Sequence, residues 1–231
     1  MFVVSEAIDA AISRYGADTV CATLEDMLTP ERIARIDEIL AQRLTSVVTV
    51  VEDTYDPHNA VATIRTTEAF GLQELHVIEP SDEKVGTTWG ITRGSHMWVD
   101  LVRWKDPASA IGNLRARGFR VYATLPGAPH SIENVDVSAP IAVCFGNEHA
   151  GLSQAAIEAC DGALGVPMYG FSESYNLSVT VALAMSRIAT RRREHIGAVG
   201  DLPDDRRRLL RAKWYCAKIR AVVDILDRKL G

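Results

Sequence analysis

Two periods run through this chain. In one, short apolar stretches of β-branched residues read as strands; in the other, apolar residues three and four apart read as helices. Residues 46–51, SVVTVV, form the clearest strand. Asp56 and Pro57 then open a helix running to about Phe70, where Gly71 ends it. Further strands fall at 75–78, 98–102, 119–124, 141–145 and 163–166, with helices at 108–117 and, capped by Ser153, at 153–160. A longer apolar helix follows at 179–188 and continues to about Glu194. Strands alternating with helices of this length predict an α/β fold with a parallel sheet covered on both faces.

The two ends differ from this middle. Residues 1–28 read as weakly helical, interrupted at Gly16. Thr29, Pro30 and Glu31 start a helix, with Thr as N-cap, Pro at the first helical position and an acid in the first turn. Ile33, Ile36, Ile39 and Leu40 mark one face of it, while Arg32, Arg35 and Arg43 point elsewhere. Past Glu194, IGAVGDLPDD leads into a final helix over 206–230, one side of which carries Leu210, Trp214, Ala217, Ala221 and Ile225. The expected organisation is a helical extension at 1–44, an α/β domain at 45–195 and a basic helical extension at 196–231.

Composition alone is that of an ordinary globular protein, with 47% apolar and 24% charged residues in 231. No apolar run approaches the roughly 20 residues of a bilayer span. The first apolar run has no basic segment before it, so a signal peptide is not expected and a cytoplasmic location is. Cys21, Cys144, Cys160 and Cys216 are scattered, with no CxxC and no His at metal-ligand spacing; free thiols and no metal are expected. Charge changes the picture more. The net −5 resolves into −4 over 1–30, −8 over 31–186 and +7 over 187–231. A basic tail on an acidic body points to a polyanion partner, and equally describes a solvated helix face.

In open parallel sheets, ligands sit beyond the carboxyl ends of strands, where loops enter helices. Three such segments here are rich in polar residues. In DPHNAVATIR, Asn59 belongs to a helix mouth and Arg65 lies six residues on, more than one and a half turns away. Arg65 stands in a mostly apolar helix, so it either has a partner or lies on an exposed side, because an unpaired buried guanidinium is costly. In FGNEHAGLS, Gly146 and Gly151 allow backbone amides close to a ligand. The glycines match neither the dinucleotide nor the P-loop pattern, and without G-x-S-x-G hydrolysis is discounted. His58 and His149 read as surface turn residues in preference to catalysts. In VPMYGFSESYNLS, Ser174, Asn176 and Ser178 stand at the mouth of an apolar helix, where they are either plain caps or ligand contacts.

In this order, NAVATIRTTEAFG, IAVCFGNEHAGLS and VPMYGFSESYNLSVTVAL resemble the three signature motifs of the SpoU/TrmH branch of the SPOUT RNA 2′-O-methyltransferases. The resemblance spans about residues 31–193. It implies a Rossmann-like sheet whose C-terminal strands and helix pass through a deep trefoil knot, and a homodimer. It also implies S-adenosylmethionine held mostly by backbone groups, at a site made of Thr124, Gly146, Val166, Met168, Tyr175 and Leu177. Methyl transfer to a ribose 2′-hydroxyl then falls to Arg65, Asn59, Glu148, Ser174 and Asn176, with Glu148 expected to fix Arg65 through charge. A guanidinium with a pKa above about 12 is a poor proton acceptor and a good clamp for phosphate. Tyr175 and Leu177 depart from the Leu and Val usual in tRNA-type members. The leading substrate is tRNA at a D-loop guanosine, gripped by the basic helices that flank the domain. A ribosomal RNA enzyme of the same branch and a non-catalytic RNA-binding knot protein are the other readings.

Overall fold

A computed structural model describes residues 2–54, 56–79, 97–217 and 219–231. The chain divides into two compact units: Leu44–Val199, and Met1–Arg43 together with Gly200–Gly231.

The terminal unit begins with α1 (Phe2–Tyr15), α2 (Ala17–Leu24) and α3 (Pro30–Ala41). Gly16 separates the first two at φ 82°, a conformation glycine adopts without steric cost. Thr29 caps α3, its hydroxyl accepting from the Arg32 N–H at 3.3 Å. Ile36 and Leu40 are the buried residues of that helix.

The sheet unit contains β1 (Val47–Glu52), β2 (Glu74–Ile78), β3 (Asp100–Trp104), β4 (Arg120–Thr124), β5 (His130–Ser131), β6 (Ile141–Phe145) and β7 (Gly162–Gly165). They pair in the order β3-β2-β1-β6-β4-β7-β5, and each of these pairings is parallel. Its helices are α4 (Pro57–Ala69), α5 (Pro107–Ala116), α6 (Gln154–Ala159) and α7 (Leu177–Ile196). Side chains of β1 alternate between two cores, as the period of two requires. Val47 and Val51 join Ile141, Val143 and Phe145 in a core shared with Val181, Ala184, Met185 and Ile188 of α7. Val48 and Val50 join Ala142, Cys144 and Val121 in a second core under Ala110, Ile111 and Leu114 of α5 and Ala156 of α6. Each fully buried Val, Leu or Ile adds about 1.5–3 kcal/mol of transfer free energy, so these two layers hold the strand ends rigidly.

Three details depart from the sequence pattern. The strand expected at 98–102 lies at Asp100–Trp104, and β5, only two residues long, has no pattern to announce it. The final helix expected over 206–230 is two helices, α8 (Asp204–Cys216) and α9 (Val222–Leu230). Ala221 sits between them at φ 49°, a left-handed residue that no continuous right-handed helix accommodates. The break also rephases the buried face. Val222 and Leu226 are buried, whereas Ala221 is exposed.

Candidate active site

The central pair of strands sets up the site. β1 leads on to β2 on one side, while β6 and β4 lie on the other, so the loops after β1 and β6 diverge at a topological switch point. Register places Val51 beside Phe145, and Glu52 and Gly146 leave the sheet as neighbours. Gly146 is required by space: a Cβ there would lie 2.1 Å from the Gly151 carbonyl carbon and from the Leu152 nitrogen. The loop after β6 therefore folds back on itself as bare backbone.

Two helices start beside it. Asp56 caps α4, its carboxylate accepting from the His58 N–H at 2.8 Å. Asn176 caps α7, its Oδ1 accepting from the Ser178 N–H at 2.9 Å, the Ser178 hydroxyl at 2.6 Å and the Val179 N–H at 3.4 Å. The capping reading of that segment is correct, and Asn176 does more. Its Nδ2 donates to Asn59 Oδ1 at 3.1 Å, and Asn59 Nδ2 donates to Glu148 Oε1 at 2.6 Å. The chemistry of the groups orients this chain. An ionised carboxylate only accepts, so Asn59 must turn its amide nitrogen to Glu148 and its oxygen to Asn176. Asn176 must then turn its own oxygen to the helix amides. Residues 59, 148 and 176, from three separate segments, become one directed hydrogen-bond line. The short bond to an ionised acceptor is the strong link, worth about 1.5–3 kcal/mol net.

Against this line lies a cavity of about 290 Å³. Thr124, Gly146, Val166, Met168, Tyr175 and Leu177 all border it, as do Glu148 and Ser174. The Thr124 hydroxyl donates to the Cys144 carbonyl at 2.8 Å and so ties β4 to β6 at the cavity edge. The Tyr175 hydroxyl donates to the Pro167 carbonyl at 3.3 Å, bridging the two ends of the loop between β7 and α7.

Arg65 is the exception. It is exposed, does not border the cavity, and makes no hydrogen bond or ion pair with any described residue. The expected charge contact between Glu148 and Arg65 is replaced by the bond from Asn59. The reason is helical phase: Asn59, Val61, Thr63, Ile64 and Thr67 form the buried face of α4 and Arg65 falls outside it. A solvated guanidinium is not desolvated, and the physical demand for a partner disappears.

Sequence reasoning missed two residues here. Glu52, at the end of β1, is 6% exposed and accepts from the Ser153 N–H at 2.8 Å and hydroxyl at 2.6 Å. Asn147 Nδ2 donates to the Asp53 carbonyl at 2.6 Å. The acid closing the apolar run SVVTVVE was the available signal, since a buried carboxylate needs donors. The Cys144 thiol beside this site is buried. Cys144 lies 3.9 Å from Cys160, and that contact, followed by burial, holds it well above the ordinary thiol range. All four cysteines are free. Among the described residues no cluster of three His, Cys, Asp or Glu could hold a metal ion, and no helix is long and apolar enough to cross a membrane.

The model of the SpoU rRNA methylase family matches residues 46–186, which contain the sheet and every residue of the polar line. The chain belongs to the SpoU methylase family. Among its SpoU relatives, a tRNA (guanosine(18)-2′-O)-methyltransferase of Borreliella burgdorferi is 37% identical over 172 residues, covering 74% of this chain and 78% of that one. The crystal structure of the A. aeolicus TrmH/SpoU tRNA modifying enzyme superposes with a TM-score of 0.72 at 28% identity, covering 80% of this chain and 95% of that one. The SpoU methyltransferase AviRb of Streptomyces viridochromogenes, solved with the cofactor AdoMet, shares the fold at a TM-score of 0.59 and 22% identity, over 68% of this chain and 64% of that one. An RNA ribose methyltransferase of the α/β SpoU type is thus the class to which this chain belongs.

Proposed function

We propose that this chain transfers a methyl group from S-adenosylmethionine to the 2′-hydroxyl of a guanosine ribose in tRNA. The observation that carries the reading is the directed line from Glu148 through Asn59 to Asn176, which joins the three polar segments at one wall of the cavity. The substrate follows the name of the Borreliella relative. The cavity suits the cofactor on two counts. Its 290 Å³ is near the lower end of the ~300–1,000 Å³ usual for small-molecule sites, and the wall at Gly146 is backbone with no room for a side chain. Thr124, Gly146, Val166, Met168, Tyr175 and Leu177 would hold S-adenosylmethionine there. When bound, it supplies an electrophilic methyl group on a sulfonium centre.

The protein's own task is alignment of the hydroxyl and relief of its proton. Glu148, held in orientation by the buried Asn59, borders the cavity as a polar group against which a ribose can be set, and Ser174 adds a hydroxyl on the same cavity. Arg65, exposed and uncommitted among the described residues, is available to clamp a phosphate next to the target ribose with two parallel N–H bonds. Being always protonated, it acts through charge and orientation.

In this reading residues 45–195 are the catalytic domain and residues 1–44 and 196–231 its extensions. The domain is knotted. The segment between β4 and β6 runs out to β5, so that β7 lies between β4 and β5. Arg191 and Arg192 of α7 then bond to the carbonyls of Ile132, Val137 and Ser138 in that same segment. A chain threaded through that segment would give this enclosure. The molecule works as a cytoplasmic homodimer, and the exposed Tyr169, Phe171, Val179 and Leu183 supply apolar surface for a second copy.

The test is mass spectrometry of nucleosides from total tRNA and total rRNA of a strain lacking the gene. Loss of 2′-O-methylguanosine from tRNA is expected. Loss from rRNA alone would move the substrate to the ribosome, and a chain with no calorimetric binding of S-adenosylmethionine would be a non-catalytic module.

A further inference from the structure

Asn147 stands between Gly146, which bounds the cavity, and Glu148, which anchors the hydrogen-bond line. Its polar groups work in two directions. Within its own loop, Oδ1 accepts from the N–H groups of His149 at 2.8 Å and Ala150 at 3.2 Å. Its main chain also exchanges two 2.9 Å bonds with Gly151. Across to the neighbouring strand, Nδ2 donates to the Asp53 carbonyl at 2.6 Å.

The first set shapes the turn; the second binds the turn to the segment that starts α4. That segment supplies two donors to Glu148 Oε1, the Asp56 N–H at 3.4 Å and Asn59 Nδ2 at 2.6 Å. The far end of the loop is held separately, by the Glu52 carboxylate on Ser153. Asp53 itself adopts φ 47°, a left-handed conformation that a non-glycine residue keeps only where its surroundings hold it.

We propose that Asn147 is a positioning residue for methyl transfer: its side-chain N–H holds the 147–151 turn against the end of β1 and so keeps Glu148 on Asn59. The inference rests on the ribose methyltransferase reading of this site. Thr124, Val166, Met168, Tyr175 and Leu177, five of the six residues proposed to hold the cofactor, belong to other segments, while Gly146 and Asn147 itself border the cavity from this loop. Loss of the tie is therefore expected to lower turnover far more than cofactor affinity.

Two variants separate the tie from the turn. Asn147→Asp keeps an oxygen for His149 and Ala150 and loses the donor to Asp53. Asn147→Ser keeps a hydroxyl oxygen for a local turn, adds no charge, and is too short to reach Asp53. In both full-length variants the melting temperature stays within about 5 °C of wild type. The dissociation constant for S-adenosylmethionine, by calorimetry, stays within about threefold, while single-turnover methyl transfer to tRNA slows by about tenfold or more. Amide hydrogen exchange of the cofactor-free chain reads the tie with no turnover at all, and both variants speed exchange at 56–59 and 147–151 by about tenfold. Unchanged exchange overturns the proposal, as do transfer rates within about threefold of wild type. A wild-type chain that binds S-adenosylmethionine but methylates no RNA overturns the functional reading instead, and the exchange measurement still decides the tie.

Discussion

In the sheet unit, polar side chains at the strand ends bond to one another across long stretches of sequence: Asn59 to Glu148 over 89 residues and Asn176 to Asn59 over 117. In the terminal unit, charged side chains also meet across long stretches, but they cancel. Arg14 pairs with Asp227, Arg211 with Asp37, and Lys213 with Asp9. Residues 1–43 carry eight acids and four bases, and residues 200–231 carry five acids and nine bases, so this unit is electrically neutral. Of the +7 over 187–231 that pointed to a polyanion partner, the +4 on 200–231 is therefore balanced by the N-terminal segment with which it folds, and the remaining +3 lies on 187–199 of the sheet unit. The sheet unit, with 17 acids and 12 bases, keeps the whole net charge of −5. Net charge does not draw tRNA to this protein. The proposed function therefore needs individually placed cations, and Arg65 and Arg208 are both exposed.

The contrast can be broken most severely at Arg65. Arg65→Ala is expected to slow methyl transfer about 100-fold or more, roughly 2.7 kcal/mol of barrier. Calorimetric affinity for S-adenosylmethionine should stay within about threefold, since Arg65 does not border the cavity. Survival of activity within about tenfold would remove Arg65 from the site. Asn59→Ala comes next. It takes from Glu148 its 2.6 Å donor and from Asn176 its acceptor, so single-turnover transfer should fall about 10- to 100-fold, near 1.4–2.7 kcal/mol.

The terminal unit predicts smaller numbers. Arg211 makes two bonds to Asp37, at 2.7 and 3.0 Å, and its guanidinium lies over the Tyr215 ring. Such partly exposed pairs contribute up to about 1 kcal/mol, so Arg211→Ala should lower the urea midpoint modestly while leaving transfer by the folded enzyme within about threefold. A rate loss as large as that of Asn59→Ala would erase the distinction between the units. The smallest effect belongs to Asp106, the N-cap of α5. The Ser109 N–H, at 2.8 Å, is the main cause holding its carboxyl below the ordinary range. A depressed folded pKa stabilises above the unfolded value of about 3.9 and is lost as pH falls through the folded value. The stability gap between wild type and Asp106→Ala should accordingly be present at pH 7 and narrow below about pH 4, measured by denaturant midpoints.

Local physics explains what was legible. A β-branched run of this kind has one stable use, and VVTVVE became β1, an interior strand between β2 and β6. Thr29, Asp56, Ser153 and Asn176 cap helices in the positions their chemistry predicts, because a cap is decided within three residues of itself. Asn59, Glu148 and Asn176 were identified through resemblance, and their hydrogen bonds needed the fold. What stayed hidden was non-local. The break at Ala221 runs against an apolar period that continues through it. The folding together of the two chain ends, and the carbonyl of Asp53 that Asn147 reaches, leave no trace in any short window. Arg65 is instructive in the other direction. Its neighbours Ala62 and Ile64 left open whether it was buried with a partner or exposed, and it falls on the exposed side.

The most direct measurement uses purified protein, a guanosine-containing tRNA transcript and S-adenosylmethionine with a deuterated methyl group. Nuclease digestion and mass spectrometry then locate the label. Deuterated methyl is expected on the ribose of guanosine, at a bond that has become resistant to alkaline cleavage. Label on a base, or none on tRNA under conditions where the cofactor binds, would contradict the proposed function.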